Sequence, residues 1–233
     1  MAGSLVTHQG DTPYMFTEGG PDYKRLYRSK RDLALTLEVS LIPGYGVVPQ
    51  GAALGKIVAG DRAGYWVPYS PNPNESAGDP VSWDGARAYL LEDSGTAQTV
   101  YVSLDDSYKF KVGDVIAVNS DGGTPYQLTI TVIDRTTYRN KAAITYTGTV
   151  SASHTSANNA HIAIDTENAN TYSYCKGILE FAVDTGVGVN AKGGLGVRIV
   201  TNAILIEGLC ENVDDAAVTD LSAVEDGQYL ILK

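Results

Sequence analysis

The clearest alternation in the chain lies between Leu33 and Leu41, where Leu33, Leu35, Leu37, Val39 and Leu41 share one side and Ala34, Thr36, Glu38 and Ser40 the other. A period of two predicts a half-buried strand, because successive side chains of extended backbone point to opposite faces. Pro43–Gly46 breaks that pattern. Between Gly51 and Leu91 the apolar runs are shorter and punctuated by glycine. Gly51–Val58 stops at Gly60-Asp61 and Gly64–Tyr69 resumes, as two short strands joined by a tight turn would. A Pro/Asn-rich loop fills Pro71–Pro80, and Asp84-Gly85 supplies turn chemistry before Ala86–Leu91, whose apolar tail predicts a return to the same core.

From Val100 the strands come about every ten residues: Val100–Leu104, Phe110–Val118, Leu128–Asp134 and Ala143–Val150, with polar turns between them. That spacing fits a small barrel. Ser151–Ala160 is low in bulk and predicts a surface loop. After about Asn170 the earlier style returns. Tyr174–Leu179 and the glycine-bent Ala191–Val200 read as strands, Thr201–Cys210 as strand or short helix, Val213–Leu221 as a short helix and Gln228–Lys233 as a closing strand. The matching flanks predict a discontinuous body, residues 33–96 plus 169–233, interrupted by a β insertion at 97–168 with its own small core, whose removal leaves the body folded.

Residues 1–32 have too few aliphatic side chains to build a core and predict an extended arm. Five cations, Lys24, Arg25, Arg28, Lys30 and Arg31, fall together without an acid, although the whole chain carries a net charge of −10. Such a segment is either a solvated tail or an arm that orders on an acidic partner, with Tyr14, Phe16, Tyr23, Leu26 and Tyr27 as contact area. The acidic balance argues against general nucleic-acid binding. With 25 Gly and 15 Tyr against 2 Met, composition favours a mainly β fold. No apolar run approaches the roughly 20 residues of a membrane helix, and the N-terminus has no secretory pattern, so synthesis in a cytoplasm is expected.

Candidate chemistry is sparse. Ser173–Lys176 has the S-x-x-K spacing of serine acyl enzymes, but on a strand residues three apart face opposite ways. Cys175 and Cys210 lack ligand spacing and predict buried thiols; His8, His154 and His161 predict solvated loop residues. Asp105-Asp106 and Asp214-Asp215 suit turns and helix starts, and Gly193, Gly194 and Gly196 suit a bend. No catalytic residue, metal or cofactor is expected. Tyr65, Trp66, Tyr69 and Trp83 form the aromatic concentration of the body and predict core or a subunit interface, with a sugar-stacking platform as the lesser alternative.

The phrase G-x-x-L-G-K-I, a short turn, Y-x-V-P, a loop and D-G-x-x-A-x-L-L-E-D, carried by Gly51–Asp93, resembles the head decoration protein family typified by phage lambda. Tyr174–Glu180 resembles a second phrase of that family. The resemblance covers about a fifth of the chain. It implies a β-tulip-like body that sits as a homotrimer on the outside of a virion head and staples neighbouring major capsid subunits, without catalysis. It also implies that the N-terminal segment lies along the capsid subunit. The long arm and the insertion depart from short members of the family. The rival expectation is a tail or fibre component whose inserted β domain binds a host glycan.

Overall fold

The computed structural model describes residues 26–27, 34–71, 83–94, 98–120, 126–148, 150, 154–166, 174–223 and 229–232. Strands β1 (Leu35–Leu41), β3 (Ala53–Lys56), β4 (Trp66–Pro68), β11 (Gly177–Leu179) and β13 (Gly194–Leu205) lie in the order β1-β4-β3-β11-β13, and β13 pairs back onto β1. The result is a closed five-stranded barrel. β14 (Tyr229–Leu232) adds to β13 in parallel, and β2 (Val47–Val48) pairs with β12 (Val183–Asp184) as a small ribbon.

Closure depends on β13 being longer and more bent than its neighbours. Between Val39 and Leu41 of β1, β13 runs from Val197 back to Gly194, one residue more than a regular ladder needs. Gly196, at φ +64°, takes that bulge at a conformation side chains resist. Alternation then sorts the barrel's side chains. Leu54, Leu179 and Ile199 join one apolar cluster, whereas their neighbours Ala53, Ile178 and Val200 join a second, beneath Leu26, Tyr27 and helix α1 (Asp215–Ser222). Asp214 caps that helix by accepting the Ala217 N–H at 2.8 Å, as the sequence predicts for a helix start.

The second sheet has the order β5 (Ala88–Tyr89), β10 (His161–Ile164), β7 (Val115–Asn119), β8 (Tyr126–Asp134), β9 (Lys141–Thr147) and β6 (Thr99–Ser103). It is nearly closed, with the Leu91 N–H donating to the Tyr101 carbonyl at 2.9 Å across the gap. Ala86–Leu91 contributes β5 to this sheet, and its Ala88 and Leu90 join the core that Leu54 and Trp66 of the barrel also enter, as its apolar tail predicts. Two residues of strand carry no periodicity by which to choose between sheets.

The two sheets also share a core. One contiguous cluster runs from Val39, Leu54 and Trp66 of the barrel to Val100, Ile116, Ile144 and Ile162 of the second sheet, in place of the separate small core expected of an insertion. A polar seam joins them as well. Arg62, in the turn between β3 and β4, donates from Nε and Nη2 to the Asp114 carboxylate (2.8 and 2.5 Å) and from Nη2 to the Lys109 carbonyl at 2.7 Å. Lys109 reaches the Arg87 carbonyl and the Asp106 carboxylate, each at 2.7 Å, beneath the Tyr45 ring. Gly44 sits there at φ +101°, and a Cβ at that position would meet the backbone of Tyr108 and Lys109 at about 3 Å, so both conformation and space call for glycine.

Candidate functional site: a groove at the open edge of the barrel

β1 is paired along its length with β13 on one edge, but on the other it meets β4 only at Leu41↔Trp66. N-terminal to that point β1 and the β3–β4 hairpin diverge. Between them opens a groove of ≈ 820 Å³, walled by Leu37–Ser40 on one side and by Lys56, Val58 and Ala63–Trp66 on the other, with Lys176 and Gly196 at its ends.

Strand parity fixes what β1 offers this groove. The Ile42 N–H donates to the Trp66 carbonyl at 3.0 Å, so Ile42 directs its main-chain polar groups toward β4. N–H and C=O groups alternate between strand edges with period two, and both β1 irregularities place the extra residue in β13. The N–H and C=O of Thr36 and Glu38 therefore face the groove, and among the described residues no strand pairs with them.

The groove's walls are part apolar and part polar, and the apolar part is bare: Leu37 is 46% exposed, Val58 45% and Tyr65 46%. Outside the groove, Leu35 is 59% exposed and Leu195, on the bulge beside Gly196, 82%. Among the described residues, the half-buried face expected of Leu33–Leu41 thus holds for Val39 and Leu41 and not for Leu35 and Leu37, because β4 covers only the C-terminal end of the strand. Nearby charge is mainly positive. Lys56 and Lys176 line the groove with Glu38, whereas Arg198, opposite Glu38 in the β1–β13 ladder, is ion-paired with Glu180 at 3.4 Å and donates to Thr36 Oγ1 at 3.3 Å. Lys176 Nζ sits 4.6 Å from the Tyr174 ring centroid. Bare apolar side chains, main-chain groups that no described strand pairs with and a basic rim suit an extended polypeptide.

The residues singled out from sequence distribute differently. Tyr14, Phe16, Tyr23, Lys24, Arg25, Arg28, Lys30 and Arg31 lie outside the described residues. Leu26 and Tyr27 are buried in the body, where Tyr27 bridges to Leu205 and its hydroxyl donates to Glu180 Oε1 at 2.9 Å. They are thus not loose arm contacts; the apolar slot under α1 takes them in. Trp66 and Tyr69 are buried, Trp83 is half-buried, and of the four aromatics only Tyr65 is exposed, in the groove. Buried rings offer no face on which a sugar could stack.

His154 and His161 are buried, not solvated. His154 Nδ1 lies 2.8 Å from Ser120 Oγ and its ring stands edge-on to Tyr126, while His161 is a residue of β10. Burial pulls the His154 pKa down. Cys175 is buried, with its thiol pKa pushed up by burial, and Cys210 is half-buried. The Tyr69 hydroxyl donates to Asp214 at 2.9 Å, tying β4's end to the helix cap. Among the described residues no three His, Cys, Asp or Glu side chains cluster as metal ligands would.

Sequence reasoning missed the groove because a strand's period does not reveal which part of its face goes uncovered. The available signal was Gly194-Leu195-Gly196, a large apolar residue between two glycines in a strand. Comparison with protein-family models, with curated proteins and with solved structures finds no match to this chain.

Proposed function

We propose that this chain is a capsid decoration protein of the lambda-like kind, binding the outer surface of a phage head as a homotrimer and bridging major capsid subunits. The observation that carries the reading is the bare apolar groove beside β1: an exposed strand edge with uncovered leucines is a liability unless a protein partner covers it. The hairpin that walls it, β3 and β4, is the stretch whose sequence resembles the decoration family, with Lys56↔Trp66 and Leu54↔Pro68 in register.

The task is one of attachment. A shell strained by packed DNA fails where subunits separate, and a protein that holds several at once opposes this through multivalency. The basic run Lys24–Arg31 supplies a second contact toward an acidic strip of the shell.

Co-sedimentation with expanded, DNA-free heads tests the reading. Saturable occupancy, seen by cryo-electron microscopy as density on the head exterior, is expected. Density on the tail, or no association with heads, overturns it.

A further inference from the structure

We infer that the groove is a strand-addition site: it takes one extended segment of the shell subunit, laid along the free edge of β1, with apolar side chains toward Leu37 and Val58 and carboxylates toward the basic rim. The identity of the partner rests on the reading above; the mode of binding rests on the groove itself.

Three observations select this occupant. First, Thr36 and Glu38 each present an N–H and a C=O to the groove, at the spacing of alternate strand residues. An extended segment can meet both pairs with its own backbone, whereas a helix has already spent its main-chain groups internally. Second, Leu37, Val58 and Tyr65 are each close to half exposed and line one opening, so a segment with apolar residues at every second position meets them with a single face. Third, Lys56 and Lys176 outnumber Glu38 among the residues lining the groove, in a chain whose overall charge is −10. A partner bearing carboxylates gains there and is repelled by most of the remaining surface, which favours this register over others. The free length of β1, Leu35–Ser40, sets the footprint at about six residues.

The probe is an acetylated, amidated heptapeptide, Thr-Val-Glu-Val-Glu-Val-Thr, with a counterpart carrying lysine in place of glutamate. The chain has two tryptophans, so Trp83→Phe leaves Trp66, in the groove wall, as its only indole. Saturable change in Trp66 fluorescence is expected with the glutamate peptide, and about tenfold weaker binding with the lysine peptide or after Lys56→Glu, since the ion pairs to Lys56 and Lys176 are at stake. Glu38→Pro removes a groove-facing N–H and is expected to abolish peptide binding while circular dichroism and the urea midpoint stay close to wild type. Glu38→Ala retains binding. Leu37→Pro removes an N–H bonded to β13 and loses the fold. Equal affinity for the two peptides, or full binding by a folded Glu38→Pro, overturns the inference.

On heads, a photo-crosslinking residue at Tyr65 is expected to capture the shell subunit. Should wild type decorate heads while Tyr65 captures no shell subunit and Glu38→Pro binds as well as wild type, strand addition is refuted and decoration stands. Should the glutamate peptide bind while heads do not, decoration is refuted and the groove's mode of binding stands.

Discussion

The two sheets solve the same problem from opposite kinds of sequence. The second is built from one stretch of chain, Ala88 to Ile164, in which β7, β8 and β9 follow one another as neighbours. The barrel is assembled from distant pieces, with Leu35 paired to Asn202 and Leu54 to Gly177. The second sheet stops just short of closing, between β5 and β6, whereas the barrel of scattered strands closes but covers β1 only where its partner is long enough. β4 has three residues, and beyond its reach β1 stays bare. The surface that most invites a partner is thus a by-product of closing a barrel with an unequal strand.

The most damaging way to break this pairing of sheets is at their seam. Asp114→Ala leaves the Arg62 guanidinium, 6% exposed, without its carboxylate, and is expected to cost about 3–5 kcal/mol in urea unfolding. Combining Arg62→Met with Asp114→Leu is expected to recover most of that loss. If the sheets are held as one unit, wild type unfolds in a single transition followed by both tryptophan fluorescence and circular dichroism, and Asp114→Ala divides it into two.

Gly44→Ala attacks the same seam through the backbone. An alanine at φ +101°, with its Cβ about 3 Å from the Lys109 backbone, is expected to cost about 2 kcal/mol or more, measured the same way.

A milder test concerns the second sheet alone. Burial depresses the His154 pKa from its ordinary 6.5, so the unfolded chain takes up this proton at a higher pH than the folded one. The stability this histidine confers is whole above about pH 6.5 and declines as pH falls from there toward the folded pKa. Among the described residues, Ser120 Oγ meets the ring at Nδ1, Tyr126 stands edge-on to it, and Ser94 Oγ accepts from the His154 backbone N–H. His154→Asn is expected to flatten the slope of the urea midpoint between pH 7 and pH 5.

The smallest effect is expected at the groove. Leu37→Ser, on the exposed half of β1, should change stability by no more than about 0.5 kcal/mol, whereas Leu54→Ala, fully buried in the same barrel, should cost about 2–5 kcal/mol. A large loss from Leu37→Ser would mean that the leucine packs against the body in solution.

What could be read from sequence follows the same division. Strands β6 to β9 of the second sheet announced themselves, since Leu128 and Ile130 alternate with polar neighbours and turns recur at regular intervals, whereas β10, four residues buried throughout, did not. Helix α1 was visible through Asp214, an acid placed where a cap is needed. β5 was not, since two residues define no period. Arg62 and Asp114 gave no sign of each other, being 52 positions apart in two turns that only the packed sheets bring together. The groove was hidden for a related reason. Leu35, Leu37, Val39 and Leu41 are chemically alike, and whether each is covered is decided by where Trp66 meets β1.

The pairing of β1 with β13 also sets a timetable. A chain made from its N-terminus completes β10 at Ile164 some thirty residues before β13 begins at Gly194, so every strand of the second sheet exists while β1 still lacks its partner. Local pairings form faster than those that close long loops, and domains fold as their segments emerge. The nascent protein therefore carries a finished second sheet beside unpaired leucines of β1, and that interval is when a chaperone has most to hold.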